Sequence, residues 1–250
     1  MRLEGKVAIV TGAASGIGRA IARRFAAEGA ELMLVDRDRS GLAETAASID
    51  RDVETSALDL TERAEVDRLV DETVARFGRL DVLSHNAGID QPVMPATEID
   101  DELWHTMLAT NTTATFFVNR AALRAMLAGE GGSIVNTVSD LGWVVVPGLA
   151  AYCASKGAAL QLTRALAVEA APRVRVNALC PTMIDTPMAR RSVSSRPDPE
   201  AYLEEIASEI PMGRIGMVDD VTGAAVFLAS PESAYVTGIA LPIDGGRTVV

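Results

Sequence analysis

Short runs of apolar and β-branched residues alternate along the chain with longer amphipathic stretches, and this alternation restricts the fold more than any other feature. "KVAIVT" leads to "IGRAIARRFAAEG", then to "AELMLVD", "AEVDRLVDETVARFG", "LDVLSHN", "GSIVNTVS", "RVRVNALC" and "GIALPIDGG". Strand and helix in repeated succession predict a parallel sheet, because parallel neighbours need a crossover between them. The strand runs are apolar at nearly every position, as they must be when helices cover both faces. The expected class is α/β with a doubly wound sheet. No internal repeat, charge block or low-complexity linker interrupts the pattern, and 250 residues suit one domain, expected to span 1–250.

Residues 181–212, "PTMIDTPMARRSVSSRPDPEAYLEEIASEIPM", break the alternation with five prolines and no strand pattern. Long connections in compact domains are usually functional, so this segment is expected to be a lid over the substrate.

Several classes of function are disfavoured. A net charge of −11 opposes nucleic acid and anionic membranes as partners, which leaves a small molecule. No apolar run reaches the roughly 18–20 residues of a membrane span, and "MRLEGKVAIV" has charges where a signal peptide would be apolar, so the expected address is cytoplasmic. Cys153 and Cys180 lack CxxC spacing and are expected to be small buried residues. His85 and His105 have neither a carboxylate partner nor metal-ligand spacing, which makes both structural and leaves no expected metal.

Two local patterns carry chemistry. In "VAIVTGAASGIGRAIA", Gly12, Gly16 and Gly18 lie between the first strand and the first helix. Such glycines let backbone approach a pyrophosphate at a helix N-terminus, although a ligand-free tight turn would use the same residues. Asp36 closes the second strand, where a carboxylate accepts hydrogen bonds from an adenosine ribose and repels a 2′-phosphate, unless it is merely a solvated strand end. That favours NAD over NADP, with Arg37 positioned to offset part of the repulsion. The second pattern is Tyr152 and Lys156 in "AYCASKGAAL": one helical turn apart, they share a face.

Taken together, "TGAASGIG", "NAG" at 86–88, Asn111, Ser139 and the Tyr152/Lys156 pair resemble the short-chain dehydrogenase/reductase family over essentially the full length. The resemblance implies a Rossmann-type fold with a seven-stranded sheet, nicotinamide-dependent hydride transfer and a homotetramer. It makes Tyr152 the acid/base, Lys156 its activator and a ribose ligand, Ser139 the partner of the substrate oxygen and Asn111 part of a water relay. It places Gly12, Ser15, Gly16, Ile17, Gly18, Asp36, Asp59, Leu60, Asn86, Ala87, Gly88, Tyr152, Lys156, Pro181, Thr182 and Thr186 along the cofactor. Relatives commonly have glycine where this chain has Thr182, which puts the carboxamide geometry in question.

Hydride transfer at carbon leaves a proton to move at oxygen, best done by a group whose pKa lies near working pH. Free tyrosine titrates near 10, so about 4 kcal/mol of phenolate stabilisation is needed, and Lys156 is expected to contribute to it. Ser139 ends "GSIVNTVS" at the carboxyl edge of the sheet, where it can donate to the reacting oxygen. Candidate pocket walls are Trp143, Val145, Met183, Met188 and Tyr202, large groups suited to a mid-sized alicyclic or aromatic secondary alcohol. Arg190, Arg191 and Arg196 offer an anionic tail a partner, or are solvated lid charges. The expected function is an NAD-dependent secondary-alcohol dehydrogenase; the alternatives are an NADPH-dependent 3-oxoacyl reductase and a non-catalytic dinucleotide sensor.

Overall fold

In the computed structural model, which describes residues 1–194, 196 and 198–250, the expected alternation is realised. The chain runs β1 (Val7–Thr11), α1 (Gly16–Ala27), β2 (Glu31–Asp36), α2 (Arg39–Ala47), β3 (Glu54–Ala57), α3 (Arg63–Phe77) and β4 (Val82–His85). It continues through α4 (Asp101–Leu108), a π-helical turn at Ala109–Thr113, α5 (Ala114–Ala128), β5 (Gly132–Thr137), α6 (Ala150–Ala170) and β6 (Val174–Pro181). The remainder is α7 (Pro187–Val193), α8 (Pro199–Glu209), α9 (Val218–Ala229) and β7 (Ala240–Ile243).

The sheet is parallel throughout in the order β3-β2-β1-β4-β5-β6-β7, the Rossmann-type single-domain arrangement expected. Its order reverses between β1 and β4, and in open α/β sheets the crevice beyond the strand ends at that switch is where ligands bind.

The apolar strands are explained by two cores. Along β1 and β2, Ala8, Val10, Leu32 and Leu34 join one cluster with Phe25 of α1 and Val226 of α9. The intervening Ile9, Met33 and Val35 join the other, with Leu69 of α3 and Val118 of α5. Period-two alternation thus divides the side chains between two faces, each covered.

One strand has no apolar run to announce it. β3 reads Glu-Thr-Ser-Ala, pairs only with β2 at the sheet edge and is incompletely buried. An edge strand faces water and can be polar. The expected lid is largely helical: Thr186 and Asp198 cap α7 and α8 through Ala189 N–H and Ala201 N–H, and Pro187 and Pro199 occupy their first turns. Ser195 and Pro197, within that lid, lie outside the described residues. No described helix is long and apolar enough to cross a membrane.

Candidate active site

The glycine-rich turn joins β1 to α1 at the switch point. Gly12 and Gly16 have φ of 66° and 53°. A Cβ on Gly12 would lie 2.8 Å from Ala87 N, and one on Gly18 would lie 2.1 Å from the Gly12 carbonyl oxygen. Close approach of the turn to 86–88 and of the helix to the turn therefore excludes side chains. Ser15 is the N-cap of α1 yet makes no capping bond with its hydroxyl, and Ile17 packs on the first core. Thr186 lies against the same turn, its methyl 3.4 Å from the Cβ position of Gly16.

Asp36, at the end of β2, accepts from Ala14 N–H through Oδ2 and Asp38 N–H through Oδ1, both at 3.1 Å. Its carboxylate is thus fixed beside the glycine-rich turn. Beyond β3, Asp59 Oδ1 accepts from the Thr61 amide at 2.9 Å and its hydroxyl at 2.8 Å, bonds that hold this carboxyl below its usual range. Leu60 is buried in the second core.

Asn86 ties three strands: its Nδ2 donates to Thr11 and Ser84 carbonyls at 3.1 Å each, and its Oδ1 accepts from Thr137 Oγ1 at 2.7 Å. His85 is buried between Thr11 Oγ1 at 2.9 Å and Thr115 Oγ1 at 3.0 Å. The Thr115 hydroxyl gives its proton to the Asn111 carbonyl, so His85 Nε2 is the donor and Nδ1 accepts from Thr11. Burial, with help from Lys156, lowers its pKa to about 3. The ring is a neutral strut, as expected, while His105 is exposed on α4.

The π-helical turn presents Asn111, 1% exposed, to the backbone of Ile89. Asn111 Oδ1 accepts from Ile89 N–H at 2.8 Å, and Nδ2 donates to Ile89 O at 3.0 Å and Ser155 Oγ at 3.1 Å. One turn of α6 brings Tyr152 and Lys156 together, with Nζ 5.8 Å from the ring centroid. Lys156 donates to the Thr137 carbonyl at 3.3 Å, and Gly88 faces it, since a Cβ there would lie 3.4 Å from Nζ. Ser139 follows β5 and is 7% exposed. Thus Asn111, Ser139, Tyr152 and Lys156 converge at the carboxyl edge of the sheet.

The electrostatics depart from the expectation for Tyr152. Burial and the charge of Asp90 push the phenol upward, against a hydrogen bond with Ser139, and Asp140 adds to the rise. Burial brings Lys156 down to about 8, opposed by Cys180 and Asp90. Burial of the phenol and two neighbouring carboxylates both act in the upward direction, so the protein alone holds Tyr152 protonated.

Thr182 replaces the expected glycine without strain, because no described non-glycine residue has positive φ. Its N–H donates to Ile243 O at 3.2 Å. Pro181 ends β6 and is buried. Cys180 is buried, its thiol pushed up to about 12 by burial, whereas Cys153 is only partly buried, because its position on α6 does not face a core. Arg190 is held by Asp185 at 2.7 Å and Glu200 at 3.3 Å, so it is not free for a substrate anion. Arg196 stacks on Tyr202 at 4.4 Å. Trp143 and Val145 are exposed, and Met183, Met188 and Tyr202 partly so.

Sequence reading missed several supporting residues. Gln91 is 1% exposed, accepts from Tyr152 N–H at 2.9 Å and donates to Gly148 O at 2.9 Å. Ser155 joins Asn111 to the Tyr152 carbonyl. Asp140 had a visible signal, a carboxylate adjoining Ser139, and Asp90 a weaker one, two residues beyond Gly88. Arg247 had none.

A profile described as enoyl-(acyl carrier protein) reductase matches residues 12–248. The chain is 38% identical over 253 residues to a 3-oxoacyl-(acyl-carrier-protein) reductase of Thermotoga maritima, covering 100% of both. It is 43% identical over 252 residues to a galactitol 2-dehydrogenase (L-tagatose-forming) of Cereibacter sphaeroides, covering 99% of this chain and 97% of the other. Its fold matches the crystal structure of levodione reductase with a TM-score of 0.97 and 33% identity, covering 100% of both.

Proposed function

Because the chain belongs to the short-chain dehydrogenase/reductase family and is an oxidoreductase using a nicotinamide cofactor, we propose that it is an NAD-dependent dehydrogenase of mid-sized secondary alcohols, working with Tyr152 as acid/base. The observation that carries this reading is the meeting of Tyr152, Lys156, Ser139 and Asn111 beside a glycine-rich turn whose neighbouring carboxylate is Asp36.

The residues fit a dinucleotide. A glycine-rich turn packed too closely for a Cβ at Gly12 or Gly18, leading into a helix N-terminus, an N-cap serine with an uncommitted hydroxyl and a fixed Asp36 suit a pyrophosphate and an unphosphorylated ribose. Ser15, Gly16, Ile17 and Thr186 would lie at the phosphates, Asp59 and Leu60 at the adenine, and Asn86, Ala87, Gly88, Pro181 and Thr182 along the remainder. When bound, the oxidised nicotinamide supplies the hydride acceptor and a positive charge.

Once its own proton has passed to water, beside Lys156 and the positive charge that the bound cofactor would add, Tyr152 would take the proton from the substrate hydroxyl. Ser139 holds the same oxygen, and Asn111 aligns the 89–91 backbone and the α6 start through Ile89 and Ser155. Lys156 keeps a cation close to the phenol and reaches the cofactor ribose. At neutral pH it remains mainly protonated, since its pKa of about 8 lies above that range.

The exposed apolar residues Phe116, Leu127 and Val168 on α5 and α6 support a homotetramer. The 38% relative gives the second reading, an NADPH-dependent 3-oxoacyl reductase, some weight, but Asp36 opposes a 2′-phosphate and Arg190 is already paired. A panel of secondary alcohols and ketones, followed by nicotinamide absorbance with NAD(H) and NADP(H), tests the proposal. Turnover only of 3-oxoacyl thioesters with NADPH would overturn it.

A further inference from the structure

The segment after β5 carries a buried carboxylate that the proposed reaction leaves without a task. Asp140 is 2% exposed and directly follows Ser139. The Ser139 hydroxyl donates to Asp140 Oδ1 at 3.0 Å, and Ser139 Oγ accepts from Leu141 N–H at 3.1 Å. On its other side Asp140 Oδ2 accepts from Arg247 Nη1 at 2.6 Å, and the same Nη1 donates to Thr182 Oγ1 at 3.4 Å. Arg247 arrives from the last turn of the chain, Arg247–Val249, 107 positions away.

A serine hydroxyl has one proton and two lone pairs. Here the proton is committed to a carboxylate and one lone pair to an amide, which stops the rotor with a single lone pair facing the Tyr152 phenol, the place a substrate hydroxyl would take. A buried carboxylate beside a neutral hydroxyl would be costly without a cation, and Arg247 supplies it. The guanidinium also joins this strand end to Thr182, so the ends of β5 and β6 are fixed to one another through the chain's last turn.

We infer that Asp140 and Arg247 are a positioning pair for Ser139, setting the direction in which its oxygen meets the substrate. The inference rests on the proposed role of Ser139. Held this way, Ser139 offers an acceptor, which suits the O–H of an alcohol. A ketone needs the Ser139 proton to swing away from Asp140.

The test is Asp140→Asn, close in shape and uncharged, made in the wild-type protein and in Ser139→Ala, with kcat and KM measured on the best alcohol from the panel. Taking the charge out of a charge-assisted hydrogen bond, and with it the pull of Arg247, corresponds at most to a fall in kcat of about 10- to 150-fold. That fall is expected with Ser139 present, with the NAD dissociation constant changed by less than about twofold, and no further fall is expected in Ser139→Ala. A fall by the same factor in both backgrounds, or none in the wild type, overturns the inference and leaves the dehydrogenase reading standing. Full turnover by Ser139→Ala overturns the role of Ser139 in that reading and the inference with it. Should Asp140→Asn fail to fold, Arg247→Lys is run in both backgrounds. It keeps the cation without the reach to both Asp140 and Thr182, and should lose kcat by a smaller factor, again only where Ser139 is present.

Discussion

Replacing Asp36 with alanine separates the two effects that the proposed NAD preference combines. The carboxylate is held by Ala14 N–H and Asp38 N–H, so it cannot swing away from a ligand without breaking two 3.1 Å bonds. Toward NAD it acts as a charged acceptor, and losing it should cost about 1.5–3 kcal/mol, roughly 10- to 150-fold in affinity. Toward NADP it acts as a like charge. At about 4 Å and an effective dielectric near 20, a unit pair repels by about 4 kcal/mol, an upper figure equivalent to roughly three decades that salt reduces. The ratio of kcat/KM for NAD to that for NADP should therefore fall from both ends. Arg37 sets how far. Its charge is near enough to Asp59 to be felt there, behind the Thr61 hydrogen bonds, and Asp36→Ala alone should narrow the preference. Adding Asp59→Asn removes a second negative charge near Arg37, and the guanidinium facing the 2′-phosphate should carry the ratio past unity. Initial rates with each cofactor at saturating alcohol give these ratios. If wild type already uses both equally, or Asp36→Ala leaves the ratio unchanged, the carboxylate does not lie at the ribose and the NAD reading loses its basis.

Tyr152→Phe should keep its fold by circular dichroism and its NAD affinity by titration while losing kcat by about 10² to 10⁴, the range of a general acid–base group, and near-normal turnover would remove it from the chemistry. Lys156→Ala should weaken NAD binding and move the acid-side limb of the kcat profile for alcohol oxidation to higher pH together, because one cation serves both; an unaltered profile with unaltered affinity counts against it. His85 stays neutral in the fold with a pKa of about 3 but binds a proton near 6.5 when unfolded, so it costs stability as pH falls through 6.5 and goes on doing so down to about 3. At pH 4.5 that amounts to about 3 kcal/mol, and His85→Asn should reduce the loss of Tm between pH 7 and 4.5, whereas an identical slope would contradict the buried neutral ring. Light scattering at micromolar concentration should give a tetramer mass, and Val168→Glu, on an 80% exposed apolar position of α6, should lower it; a monomeric wild type would refute the assembly.

What depends on near neighbours along the chain is legible in the order of the amino acids. Apolar runs of strand length between amphipathic stretches define the doubly wound sheet, because burial on two faces leaves few polar positions in a central strand, each with a hydrogen-bond partner to find. The glycines at 12, 16 and 18 and the one-turn spacing of Tyr152 and Lys156 are local geometry, and the structure brings them to one edge. Tertiary structure decided the rest. β3 is a strand because β2 offers it an edge, not because Glu-Thr-Ser-Ala prefers one. The protonation of Tyr152 follows from burial and from Asp90 and Asp140, reached from β4 and β5, which the conspicuous spacing to Lys156 does not announce. Arg247 meets Asp140 across 107 positions, a distance over which no periodicity in the sequence carries information, so only the folded chain could join the last turn to the serine of the site.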